Sequence, residues 1–256
     1  MNHSDFLNFR DQLKSNIEPF DSVTGLVFLG SAADTSRADE WSDHDFFVFT
    51  TQGHAEALRQ DLTWLPDHEE IALFVRETEH GLKVIYNSGH VLEFAVFEPD
   101  WDLAGVNAFA VTLDKECIAD RLAMAQRRSV PQPLDVDREF SLFLSHLLIG
   151  TGRFRRGEIL SAGQFINSFC VNSAIKLVSA LCSPAEGTNS EVDNQNPFRR
   201  FETRYPELAE EIEASQRMTL ESGAKVLLDF VTRTLGEHVD ERRFTQIEVI
   251  KTRLGW

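Results

Sequence analysis

Two carboxylates two residues apart, Asp43 and Asp45, open an apolar run, Phe46-Phe47-Val48-Phe49. Eleven residues separate them from Gly30-Ser31, which closes another apolar run, Val23–Leu29. In an extended strand, residues two apart share a face, so Asp43 and Asp45 would lie together with His44 opposite. Two such carboxylates repel unless a cation joins them. Mg2+ characteristically takes one or two carboxylates together with substrate phosphates. Gly30 permits close backbone approach, and Ser31 offers a hydroxyl and an N–H to a phosphate oxygen. A third acid, Glu93, lies inside Val91-Leu92-Glu93-Phe94-Ala95-Val96-Phe97, on the face of Ala95 and Phe97. A carboxylate within a β-run is costly unless paired, hydrogen-bonded or metal-bound. If its strand lies beside that of Asp45, three carboxylates converge. Such a set supports metal-assisted displacement at phosphorus, one ion on a triphosphate and a second activating a hydroxyl.

The elements that must position these residues are legible from periodicity. Phe6, Phe9, Leu13 and Ile17 give a helical period over residues 4–18 that stops at Pro19. Strands are expected at Val23–Leu29, 43–49, Ile71–Arg76 and 107–113, with a polar loop over 32–42 and a helix over 54–62. Residues 82–86 and 91–97 flank Asn87-Ser88-Gly89-His90 in a hairpin pattern. A helix then runs to about Arg128. Ser129-Val130-Pro131-Gln132-Pro133 is the linker candidate, because two prolines in three residues stop helix or sheet. Beyond it nearly everything reads as helix. Phe140, Phe143, Leu144, Leu147 and Leu148 mark one buried face, and further helices are expected over 161–181, 206–235 and 241–254, with a polar loop over 183–197.

Charge narrows the partners. The chain carries 41 acids against 25 Lys and Arg. Residues 1–134 hold a net −13 and residues 135–256 only −3. A nucleic-acid binder needs a basic patch, which the first half lacks, so nucleic acid is disfavoured as a partner and cationic small molecules are favoured. Apolar residues make up 42% of the chain and charged residues 26%, an ordinary globular balance. No apolar run approaches the ~20 residues needed to span a bilayer, so no membrane partner is expected. The first residues lack a basic region followed by an apolar stretch, which argues against a secretory signal. Cys117, Cys170 and Cys182 are odd in number and widely spaced, as suits a reducing cytoplasm.

Gly30, Ser31, Asp43, Asp45 and Glu93, in this order and spacing, resemble the motif of the nucleotidyltransferase superfamily with the DNA polymerase β fold. The flanking Trp41-Ser42-Asp43-His44-Asp45-Phe46 and the later Arg156-Gly157-Glu158 look similar to the antibiotic (lincosamide and aminoglycoside) nucleotidyltransferases. The resemblance is sharp over about residues 26–50 and 91–97. It implies an α+β chain: a nucleotidyltransferase catalytic domain of mixed sheet and helices at 1–132, then an all-helical bundle domain at 133–256. It further implies Mg2+-dependent transfer of AMP, or another nucleoside monophosphate, from ATP or another nucleoside triphosphate. The acceptor would be a hydroxyl of a small molecule such as an antibiotic. Asp43, Asp45 and Glu93 would be the catalytic and metal-holding residues, with two Mg2+ ions and Glu93 as either ligand or base. Gly30, Ser31, Arg37 and Ser42 would hold the nucleotide. Arg37 stands later than the basic residue common in that loop.

Other readings stay open on the residues. The acceptor could be a protein or RNA, or the chain could be a non-catalytic nucleotide-binding partner; a homodimer is also open. Arg153, Arg155 and Arg156 with Glu158 fit either a triphosphate grip or a solvated ion-paired turn. The Asn196-Pro197-Phe198-Arg199-Arg200-Phe201 cluster suits docking. Arg233 and His238 fit only loosely the spacing of helical ribonuclease-type toxins.

Overall fold

The computed structural model describes residues 2–101, 108–128, 133–188, 196–238 and 240–256. The linker candidate lies outside these except for Pro133, which is exposed, as do Asn107 and residues 189–195 of the polar stretch. The chain divides into two compact units, Met1–Val130 and Pro131–Trp256.

In the first unit α1 (His3–Ile17) begins at Asn2, whose side chain accepts from the Asp5 N–H at 2.9 Å. It buries Phe6, Phe9, Leu13 and Ile17. There follow β1 (Val23–Leu29), α2 (Gly30–Ala33), β2 (His44–Thr50), α3 (Ala55–Gln60), β3 (Ile71–Arg76), β4 (Gly81–Tyr86), β5 (Val91–Phe97), β6 (Phe109–Asp114) and α4 (Ile118–Arg128). The strands form one six-stranded sheet in the order β3-β4-β5-β2-β1-β6. β2 and β5 are parallel, and the other pairs are antiparallel. The sheet is mixed.

Period-two alternation sorts the side chains into two faces. On one face Leu26, Phe28, Phe46, Val48, Leu92 and Phe94 join α1 and α3 in a continuous core, with the Phe46 and Phe94 rings stacked 4.8 Å apart. Among the described residues, the other face is covered along only part of its length. Val27, Phe49, Ala95 and Phe97 pack against Ile118 and Leu122 of α4, and Trp101 stacks on Phe97 at 3.6 Å. Gly25 makes room for that helix, since a Cβ there would lie 2.8 Å from Ile118 Cγ1. At the sheet edge, Leu73, Phe74 and Val75 of β3 are at least half exposed.

Two expectations shift at the motif itself. The polar loop over 32–42 contains helical turns, α2 and a 3-10 turn over Thr35–Arg37. β2 begins at His44, so Asp43 is the last residue before the strand, and the strand by itself does not impose the shared face expected for Asp43 and Asp45.

The second unit is helical throughout its described residues: α5 (Val136–Arg155), α6 (Ile159–Gly163), α7 (Val171–Leu181), α8 (Phe201–Arg204), α9 (Pro206–Gln216), α10 (Leu220–Thr234) and α11 (Glu241–Leu254). Its core includes Phe140, Phe143, Leu144 and Leu147 of α5, and Leu148 packs partly buried against it. The expected helix over 161–181 is a continuous run whose middle, Gln164–Cys170, widens into a π-helix. That run lies so close to α5 that a Cβ on Gly150 would meet Phe165 and Ile166 at 2.9 Å. The expected helix over 206–235 is instead two, broken after Gln216. Neither proline nor glycine stands between Glu213 and Thr219, so no breaker residue marks the break. The fold-back needs Gly223, where a Cβ would sit 2.3 Å from the Ser215 carbonyl oxygen.

Candidate active site

β1 runs into Gly30, which adopts φ +53, a left-handed conformation that glycine takes without a Cβ penalty. The turn brings the backbone against β2. A Cβ built on Gly30 would lie 3.0 Å from Asp45 Oδ2. The Gly-Ser pair and the acidic motif, eleven residues apart in the chain, are therefore adjacent in space. Ser31 and Asp43 are both partly exposed beside them.

The loop between them is braced by its own polar groups. The Arg37 guanidinium donates to the Gly30 carbonyl at 3.2 Å and pairs with Asp34 at 2.8 Å. It steadies the back of the Gly-Ser turn. Ser42 accepts from the Asp39 N–H at 2.9 Å and donates to the Asp39 carboxylate at 3.1 Å, while Asp39 also accepts from the Trp41 N–H. This closed turn delivers Asp43 to the head of β2. Arg37 and Ser42, two of the four expected nucleotide contacts, thus support the loop that carries the motif.

β2 and β5 are in register, with His44 opposite Leu92 and Asp45 opposite Glu93. Glu93 therefore shares the face of Asp45 on a neighbouring strand, and β5 is interior to the sheet, between β4 and β2. One strand further, Lys83 of β4 is in register with Glu93. Its ammonium lies 3.1 Å from Glu93 Oε1 and 3.1 Å from Glu77 Oε1. Hydrogen bonds to Glu93 and then Glu77 raise the Lys83 pKa above its ordinary value and keep it charged. Asp45, Glu93 and Lys83 occupy the stretch of this face beyond the apolar patch under α4. Sequence reading missed Lys83 and Glu77. The signal was there only as a lone base alternating with Leu82 and Val84; its partner depends on register.

The opposite face of β2 is closed. His44 is fully buried, with its ring stacked on Phe6 at 3.8 Å. Its Nε2 lies 3.0 Å from the Phe6 carbonyl and its Nδ1 2.9 Å from His90 Nε2. A carbonyl only accepts, so His44 Nε2 carries the proton and donates. Nδ1 is then the bare nitrogen that accepts from His90 Nε2–H. Both rings are neutral in this arrangement. Burial, reinforced by the neighbouring His90, lowers His44 to about 3. Burial likewise lowers His90 to about 4.

The donor set decides how far a metal fits. Asp45, packed against Gly30, with Asp43 at the head of the same strand, suits one Mg2+ that arrives with a triphosphate. Among the described residues, no three His, Cys, Asp or Glu side chains are grouped to hold an ion. Glu93 is turned to Lys83 instead. In the helical unit, Arg156-Gly157-Glu158 forms the turn into α6, with Gly157 at φ +80 and Arg156 paired to Glu158 at 2.8 Å. Arg155 is paired with Glu221, and Arg153 donates to Ser161. Arg233 is paired with Glu211.

No protein-family profile matches the sequence, and no curated protein matches it. Among solved structures, the chain is similar over its whole length to an aminoglycoside 6-adenyltransferase from Bacillus subtilis, covering 92% of that chain at 10% identity and TM-score 0.35. A nucleotidyltransferase-like protein from Exiguobacterium sibiricum aligns over 91% of this chain and 75% of its own, at 13% identity and TM-score 0.36. The CD-NTase CdnG of Bradyrhizobium diazoefficiens, in complex with GTP, aligns over 98% and 92%, at 13% identity and TM-score 0.32. Among the described residues no helix is long and apolar enough to cross a membrane.

Proposed function

We propose that the chain is a Mg2+-dependent nucleotidyltransferase that moves a nucleoside monophosphate, AMP in the first instance, from a triphosphate to a hydroxyl of a small cationic acceptor such as an antibiotic. One observation carries this reading: the Gly30 backbone packs so closely on the Asp45 carboxylate that a Cβ at residue 30 would lie only 3.0 Å from its Oδ2. A phosphate-binding turn and a metal-holding acid pair are useful to each other only at that proximity.

Asp43 and Asp45 would hold the ion, which when bound neutralises charge on the triphosphate and polarises the α-phosphorus. The Ser31 hydroxyl and the turn's backbone would orient the phosphates. The acceptor oxygen forms its bond to the α-phosphorus as the bond from phosphorus to the pyrophosphate oxygen breaks, and pyrophosphate departs. Glu93, beside Asp45 and open on this face, would take the hydroxyl proton. The net −13 of residues 1–134 favours a cationic acceptor over a polyanionic one.

The test is incubation of the chain with ATP or another nucleoside triphosphate, Mg2+ and a panel of hydroxylated antibiotics, followed by pyrophosphate assay and product mass. A product heavier by one nucleoside monophosphate, absent with Asp45→Asn, is expected. Triphosphate bound equally well with EDTA would remove the acid pair from the reading.

A further inference from the structure

Three strands place three charged residues side by side on one face: Asp45 on β2, Glu93 on β5 and Lys83 on β4, each in register with the next. Lys83 is held from two sides, at 3.1 Å by Glu93 and at 3.1 Å by Glu77, the residue that follows β3. A lysine gripped by two carboxylates, one on the neighbouring strand and one just past β3, has less freedom than one in an ordinary surface pair, so its ammonium is a localised charge.

We propose that the Lys83 ammonium occupies, at Glu93, the place a second divalent ion would take, so that each chain binds one exchangeable metal ion rather than two. This rests on the nucleotidyltransferase reading and departs from the two-ion expectation. The chemistry follows from charge and donors. Glu93 Oε1 already accepts from an ammonium, which supplies positive charge at the carboxylate in register with Asp45. A second dication near Glu93 would meet Lys83 as a like charge. Lys83 has no open coordination position to offer a hydroxyl, so activation of the acceptor falls to Glu93 as a base. Lys83 is thus a positioning residue: it aims Glu93 and balances its charge. Glu77 keeps Lys83 in place from the far side.

The experiment measures Mn2+ retained per chain in the presence of a non-hydrolysable ATP analogue, by electron paramagnetic resonance and elemental analysis, on the full chain. One ion is expected for wild type, with that ion lost in Asp45→Asn. Lys83→Met should retain two, the second disappearing again in the double variant with Glu93→Gln, while Lys83→Arg should return to one. Thermal melts of each variant check that the sheet remains folded. Two ions in the wild type, or one in a folded Lys83→Met, would overturn the proposal while leaving nucleotidyl transfer intact. No ion retained by wild type and Lys83→Met alike would overturn both.

Discussion

His44 and Asp45 are adjacent in the chain and have opposite fates. His44 faces a core sealed by α1, with its ring sandwiched against Phe6 and both nitrogens hydrogen-bonded. Asp45 faces the side on which α4 packs against Val27, Phe49, Ala95 and Phe97. The same strand therefore gives one face wholly to the core and carries on the other the acid of the proposed site. A buried, fully satisfied polar pair costs little and fixes where the strand begins. That fixed start holds the acid motif against Gly30. Alternation along one strand is what lets a rigid scaffold and a reactive surface lie one residue apart.

The comparison breaks most sharply at the acids. Asp45→Asn and Asp43→Asn should each lower turnover by ~10³-fold or more, because several kcal/mol of charge stabilisation go with the ion. Steady-state rates beside unchanged melting curves would check this; a loss of stability as large as the loss of rate would deny that this face is spared from folding. On the sealed face, Phe46→Ala should destabilise by about 3–5 kcal/mol through lost burial and a cavity against Phe94, read by denaturant unfolding.

The His44–His90 pair adds a pH dependence with a definite sign. Their folded pKa values, about 3 and about 4, lie below the ordinary 6.5. Their contribution is complete above about pH 6.5 and is lost as pH falls towards 4, since the unfolded chain takes up protons that the fold excludes. The slope should approach about 1.4 kcal/mol per pH unit for each ring. His44→Leu should flatten that profile; a profile unchanged by the substitution would show that the pair does not titrate this way.

Gly30→Ala is expected to act through strain and proximity, at about 1–3 kcal/mol, by forcing a side chain into a left-handed backbone beside Asp45. Triphosphate affinity should fall more than global stability. The smallest effect belongs to the sheet edge. Phe74→Thr, on an exposed β3 residue, should change unfolding free energy by no more than about 0.5 kcal/mol.

Local signals in the sequence were sufficient for much of this. The α1 stripe of Phe6, Phe9, Leu13 and Ile17, the strand at Ile71–Arg76, the hairpin around Asn87-Ser88-Gly89-His90 and the helix over Glu241–Leu254 all appear where periodicity and turn residues put them. These depend on neighbours within a few residues, which a linear pattern contains. The pairing of Gly30 with Asp45 was foreseeable only as a motif, and the positive φ and tight contact that favour the glycine came from the turn's three-dimensional path. The resemblance implied Arg37 and Ser42 as nucleotide contacts; their observed bonds to Gly30, Asp34 and Asp39 depend on how the loop closes.

The chain by itself determined which residues are apolar, which are charged and at what period, and so the elements and the acid motif. Only the tertiary structure decided that β5 lies parallel to β2 with Glu93 opposite Asp45, and that β4 sets Lys83 beside it. Strand order and register arise from contacts between segments tens of residues apart, where each apolar run could have paired with several others. A one-residue slip would have turned Glu93 into the core and left Lys83 without it.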